Sequence, residues 1–234
     1  TKNFECKKAG DITYATDWNP IGSVKNPYIG TFDGKNFIIT GLTTIEDYNE
    51  CAGLFGYVAK GGTVQNVILF GGRITGSNSV GALVGMNIGG TVVNCINKGT
   101  VIGTESNAIV GGVVGINIGG KVTNCANTGD VSGSGAIGGV VGKNVTRSVE
   151  GPRIARNNTI DLLTTESEAN DAGEVIEENE FSIVAYCENT GNVTATEDYA
   201  IVGGVVGKNQ YGIVRYSKNK RAVIETVNGV TIGG

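Results

Sequence analysis

Short β-branched runs alternate with Gly and Asn along this chain in a phrase that keeps returning. "AGLFGYVAKGGTVQNVILFGGRITGS" from Ala52 is followed by "GALVGMNIGGTVVNCINKGTVIGT" from Gly81, "GGVVGINIGGKVTNCANTGDVSGS" from Gly111 and "GGVVGKN" from Gly138. The phrase restarts as "FSIVAYCENTGNVTAT" from Phe181, and a last rung, "GGVVGKNQYGIVRYSKNKRAVIET", begins at Gly203. The period is about 27 to 30 residues. Each rung divides into three apolar pieces, such as "VGGVV", "KVTNC" and "DVS", which are too short and too broken by glycine for helices. Three short strands per rung predict the coils of a parallel β-helix, stacked about 4.8 Å apart so that each backbone pairs with the coils above and below. A leucine-rich or helical-pair solenoid needs Leu or Ala at helical spacing, and no such run is present. Strand twist and the usual parallel crossover give the expected coil a right hand.

Aligned rungs predict which side chains stack. Val64, Val92, Val122, Val184 and Val214 form one apolar column, and Leu54, Leu83, Val113, Val140 and Val205 another. Val67, Cys95, Cys125, Cys187 and Ser217 form a third, and Cys51 aligns with Val80, Val110, Ile137 and Val202. Asn97, Asn127, Asn189 and Asn219 fall in one turn and Asn87, Asn117, Asn144 and Asn209 in a second, where each amide can bond to the next. Gly56, Gly85, Gly115, Gly142 and Gly207 mark a corner that needs either a positive φ or close approach between coils. Residues 50–234 are thus expected to form the repeats, and residues 1–49 an N-terminal cap or atypical first coil.

The phrases "AGLFG", "VGALVG" and "VGGVVG", each followed by "GGxVxN", resemble the GLUG repeat. That repeat occurs in bacterial surface and adhesin-like proteins and upstream of the peptidase in immunoglobulin-A-cleaving metalloproteases. "WNPIGSVKNPYIGTFDGKNFIITGL", residues 18 to 42, resembles the segment that often precedes such repeats. The resemblance implies a fold and an extracellular or cell-surface setting but no activity. The metalloprotease zinc motif requires two histidines on a helix and this chain has none, so peptidase activity does not carry over.

Composition narrows the function further. A net charge of −4 offers no cluster of Lys and Arg to neutralise phosphates, which argues against a nucleic-acid partner. The absence of His removes the commonest general base and metal ligand. No run of about 18 apolar residues is present, so no membrane span is expected. The chain opens at Thr1 and reads as a processed or excised piece. Its five cysteines leave at least one thiol unpaired. Stacked Cys95, Cys125 and Cys187 would have parallel Cα–Cβ vectors, unsuited to a disulfide, and would lie along a line rather than around a metal. They are read as small buried hydrophobes.

β-Helices can carry glycan-cleaving sites, which need acids converging on one open face. The rungs carry scarcely any. Asp130 aligns with Thr100 and Asn192, and Asp33 lies in the turn "FDGK", so both are read as structural.

Residues 145 to 180 interrupt the repeat with nine acidic residues against three arginines. Insertions in a solenoid emerge on one face, often the binding face. The candidate contact residues are therefore Glu166, Glu168, Asp171 and Glu174 of the insertion, with Tyr199 and Tyr211 in adjoining turns. No spacing matches a calcium loop, and no cofactor or metal is expected. The sequons at Asn144, Asn157 and Asn192 matter only in a eukaryotic secretory host. The expected function is a noncatalytic extracellular module that adheres to a protein or glycan on a cell or matrix surface, or that displays or spaces another domain. A glycan-active β-helix enzyme and a unit stacking end to end into filaments are the alternatives.

Overall fold

The computed structural model describes residues 4–5, 12–13, 18–44, 51–146, 181–221, 223–224 and 229–233. Among these residues there is no helix, and every strand pairing is parallel. Each coil contributes to four sheets rather than to the expected three. The first sheet stacks Thr31–Asp33, Thr63–Gln65, Thr91–Val93, Lys121–Thr123, Ile183–Ala185 and Ile213–Arg215. The second runs through Ile38–Thr40, Ile68–Gly76 and Ile96–Gly103, after which each coil gives it two pieces, such as Ala126–Asn127 and Val131–Gly133. The third stacks Cys51–Ala52, Ser79–Gly81, Ile109–Gly111, Ala136–Gly138, Ile201–Gly203 and Thr231–Gly233. The fourth stacks Phe55–Ala59, Val84–Ile88, Val114–Ile118, Val141–Val145 and Val206–Gln210.

The extra sheet has a local cause. "VGGVV" reads as one strand, but Gly112 and Val113 form a bend that ends the strand Ile109–Gly111 and begins Val114–Ile118. Leu83, Val113 and Val140 occupy this bend in successive coils, fully buried, and each amide from Leu83 onward bonds to the corresponding carbonyl of the next coil. The glycine column lies one residue inside the fourth sheet, not at a corner. A Cβ at Gly115 would stand 2.6 Å from the Gly85 carbonyl and 2.8 Å from the Val80 amide, so close approach excludes a side chain there. Positive φ belongs instead to Gly89 (71°) and Gly119 (60°), where the fourth sheet turns into the first.

In-register pairing turns the repeat into a continuous core. Val64, Val92, Val122 and Val184 pair in one file and are fully buried, whereas Val214, in the last described coil, is 40% exposed. Val80, Val110, Ile137 and Val202 form a second file. Cys51 departs from its expected column: Ala52 pairs with Val80 and Cys51 with Ser79. Two residues separate Ala52 from Phe55 where three separate Val80 from Val84, and both pairs are in register, so the first of these coils is one residue short at the bend. Complete burial of aliphatic files of this kind supplies most of the favourable free energy, about 1.5 to 3 kcal/mol per side chain.

Candidate functional site

The two asparagine ladders set the frame from which any site must project. In the second sheet Asn97 donates to Asn127, Asn127 to Asn189 and Asn189 to Asn219, with Nδ2–Oδ1 distances of 2.8, 2.9 and 2.9 Å. Each amide also donates to a carbonyl two residues on, as Asn127 does to Gly129 at 2.8 Å. In the fourth sheet Asn87, Asn117, Asn144 and Asn209 form an equivalent chain at 2.8, 2.8 and 2.9 Å. Leu69 and Val58 occupy these positions one coil earlier, so both ladders begin where an apolar column ends.

Cys95, Cys125 and Cys187 are buried free thiols whose sulfurs donate to carbonyls of their own coil and the preceding one, at 3.2 to 3.7 Å. The flanking thiols of Cys187 and Cys95, together with complete burial, push the Cys125 thiol well above its ordinary pKa. Asp130 accepts from the backbone and side-chain nitrogens of Asn192 at 3.2 and 2.9 Å. Asp33 accepts from the Lys35 amide, Asn66 and Gln65, and the Asn66 and Lys35 bonds hold its carboxyl below the usual range. These polar side chains are engaged in joining coils. Among the described residues no three metal-ligating side chains converge.

The insertion leaves the stack at the corner between the fourth and first sheets, where other coils turn through Gly89–Gly90 or Gly119–Gly120. Glu166, Glu168, Asp171 and Glu174 lie outside the described residues. The base of the excursion is tightly held. Ser182 stands where Gly120 stands in the preceding coil: its Oγ accepts from the Gly119 amide at 2.5 Å and bonds to the Val145 carbonyl, and its amide donates to Thr146 Oγ1 at 3.2 Å. Tyr211 flanks this base, bridged to Val145 and 66% exposed.

Tyr199 is not brought to the same place. It precedes the third-sheet strand Ile201–Gly203, whereas Tyr211 follows the fourth-sheet strand Val206–Gln210, so the two rings mark opposite ends of that face. Tyr199 is 82% exposed and held at a φ of 64°. It borders a recess of about 290 Å³ that sequence reasoning missed. The recess arises from a difference in coil length. Val101, Val131 and Val193 are in register, as are Val110, Ile137 and Val202, yet the middle coil joins its pair with three residues fewer. The loops at 104–107 and 196–199 therefore stand proud on either side, with Ser134, Gly135 and Ala136 as the floor. Ser134 Oγ donates to the Glu105 carbonyl at 2.7 Å, and Ser106 Oγ reaches across to Glu197 at 3.3 Å. Lys143 and Lys208, paired in the fourth sheet, close one side. The missing signal was the contrast of "VIGTESNAIVGG" and "VTATEDYAIVGG" with the shorter "VSGSGAIGG" between them.

Comparison with known proteins matches residues 106–132 to the GLUG motif. The chain is 33% identical over 100 residues to halomucin of Haloquadratum walsbyi, a match covering 40% of the chain and 1% of halomucin. It is 34% identical over 95 residues to a Gly-rich membrane protein of Evansella cellulosilytica, covering 37% of the chain and 11% of that protein. The chain thus spans only a small part of these relatives. No solved structure gives a significant match. No helix among the described residues is long and apolar enough to cross a membrane.

Proposed function

We propose that this chain is a noncatalytic, extracellular β-solenoid module that presents recognition elements at breaks in its repeat, for adhesion to a protein or glycan on a cell or matrix surface. The carrying observation is the corner at Val145 and Ser182, where a long acidic insertion departs while the ladders on both sides continue. A solenoid built this way tolerates a long insertion without loss of core pairing, as a display scaffold requires. The GLUG motif and the names of the two relatives support a surface setting. The acidic insertion favours a basic partner surface, with an attraction that weakens as salt rises.

The test replaces residues 146–181 with a single Gly, restoring the corner of the neighbouring coils, and compares adhesion of beads carrying either module to cells and to extracellular matrix. Adhesion falls in the shortened module if the insertion is the contact, and unchanged adhesion turns the reading toward spacing. Release of reducing sugars from a glycan by the intact module overturns the noncatalytic reading.

A further inference from the structure

We infer that the recess over the short coil is a saccharide site that takes one neutral sugar ring, a more specific form of the surface recognition proposed above and resting on that reading. Between Val131 and Ile137 the middle coil is three residues shorter than its neighbours. A coil matching its neighbours would carry a loop over Ser134 and Gly135 and fill this space. Its absence leaves a concavity of about 290 Å³, near the lower end of the range for small-ligand pockets. The walls are fixed. One loop is pinned by the bond from Ser134 to the Glu105 carbonyl and by the turn from the Ala108 amide to Glu105. The other is held by the Thr196 amide on the Gly133 carbonyl, and Ser106 joins the two loops through Glu197.

The chemistry of the walls selects the ligand. Glu197 and Asp198 face the recess with Lys143 and Lys208, so its formal charge is balanced and favours neither an anion nor a cation. Ionised carboxylates only accept hydrogen bonds and ammonium groups only donate them. A ligand serving both must offer groups that donate and accept at closely spaced positions, which vicinal hydroxyls do. Ile109, Ala136 and Ile201 supply an apolar lining for the C–H side of such a ring. Tyr199 adds an aromatic edge. Its backbone is in the left-handed region, which is disfavoured for a residue of this size, and such strain persists where the surroundings impose it. The ring lies against Gly229 of the next coil and, 82% exposed, borders the recess.

The test records amide chemical shifts of the whole module by two-dimensional NMR while glucose, galactose, mannose, N-acetylglucosamine or N-acetylgalactosamine is titrated into the millimolar range. Sialic acid and calcium chloride serve as charged controls. The expected result is saturable shifts confined to residues 104–108, 133–136 and 196–200 with at least one neutral sugar. Inserting Glu-Ser-Asn after Ser134 gives the short coil the length of its neighbours and should abolish these shifts. Tyr199→Ala should weaken binding by roughly twofold to tenfold, the range set by one aromatic contact. If the lengthened coil fails to fold, Tyr199→Ala and Glu197→Gln carry the comparison. No saturable shift with any neutral sugar, shifts that persist in all the variants, or a response to calcium or sialic acid alone would overturn the proposal. Bead adhesion measured on the same samples separates the two readings: adhesion without sugar shifts removes only the recess, whereas sugar shifts without adhesion remove only the surface role.

Discussion

Asn144 donates from Nδ2 to the carbonyl of Ser182 at 3.3 Å, the bond that Asn117 makes to Gly120 three residues along its own coil, although Ser182 lies 38 positions away. The coil therefore treats Ser182 as the next corner residue and the intervening chain as an excursion. Replacing residues 146–181 with one Gly should leave the β-sheet circular dichroism spectrum unchanged per coil and shift the melting temperature by only a few degrees. Loss of cooperative melting in that variant would show that the insertion holds the corner together.

An internal ladder asparagine should matter more than one at the ladder's end. Asn127 bonds to amides on both sides, so Asn127→Leu removes a donor and an acceptor from a fully buried file and should cost about 1 to 3 kcal/mol or more. Asn97→Leu moves the boundary with Leu69 along by one coil and breaks only one interside-chain bond, so its cost in chemical denaturation should be smaller. Equal costs would mean that the bonds to Gly99 and Gly129, and not the ladder, dominate.

These files were legible in the sequence because parallel, in-register pairing makes residues aligned on paper neighbours in space. The valine, cysteine and asparagine columns depend on that rule alone. The bend at Gly112 and Val113 was hidden because a run such as "VGGVV" carries the same residue types whether straight or folded. The recess was not legible from the columns because its three missing residues fall between strands, where no column has a member. Residue type alone does not mark the left-handed conformation of the tyrosines: Tyr186 and Tyr216 stand where earlier coils place Asn66, Asn94 and Asn124, Tyr199 where Asn107 stands, and Tyr211 where Gly89 and Gly119 stand.

The cysteine column should be inert until the fold opens. Thiol labelling of Cys95, Cys125 and Cys187 should be slow in native protein and rapid in denaturant. Cys125→Ala should cost about 1 to 2 kcal/mol through the void it leaves, and Cys125→Asp should cost far more, because the charge would be buried without a partner. A disulfide between any two of the three, found by intact-mass analysis, would contradict the stacked geometry.

Tyr186 and Tyr216 sit at φ values of 55° and 51°, in the column where earlier coils place Asn66, Asn94 and Asn124 at 53° to 55°. Asn adopts this region far more readily than Tyr, for which it costs about 1 to 2 kcal/mol. The two rings recover part of that cost by stacking, with centroids 5.0 Å apart and planes 15° from parallel, a contact of about 0.5 to 1.5 kcal/mol. Changing Tyr186 alone to Asn relieves one strained backbone but loses the stack, so its effect should be near zero. Changing both relieves two backbones for the loss of the same single stack, and the double variant should be the more stable by up to about 1 to 2 kcal/mol in urea unfolding. If the double variant is instead less stable than the unmutated chain, the exposed ring pair contributes more than the strain of its two backbones costs.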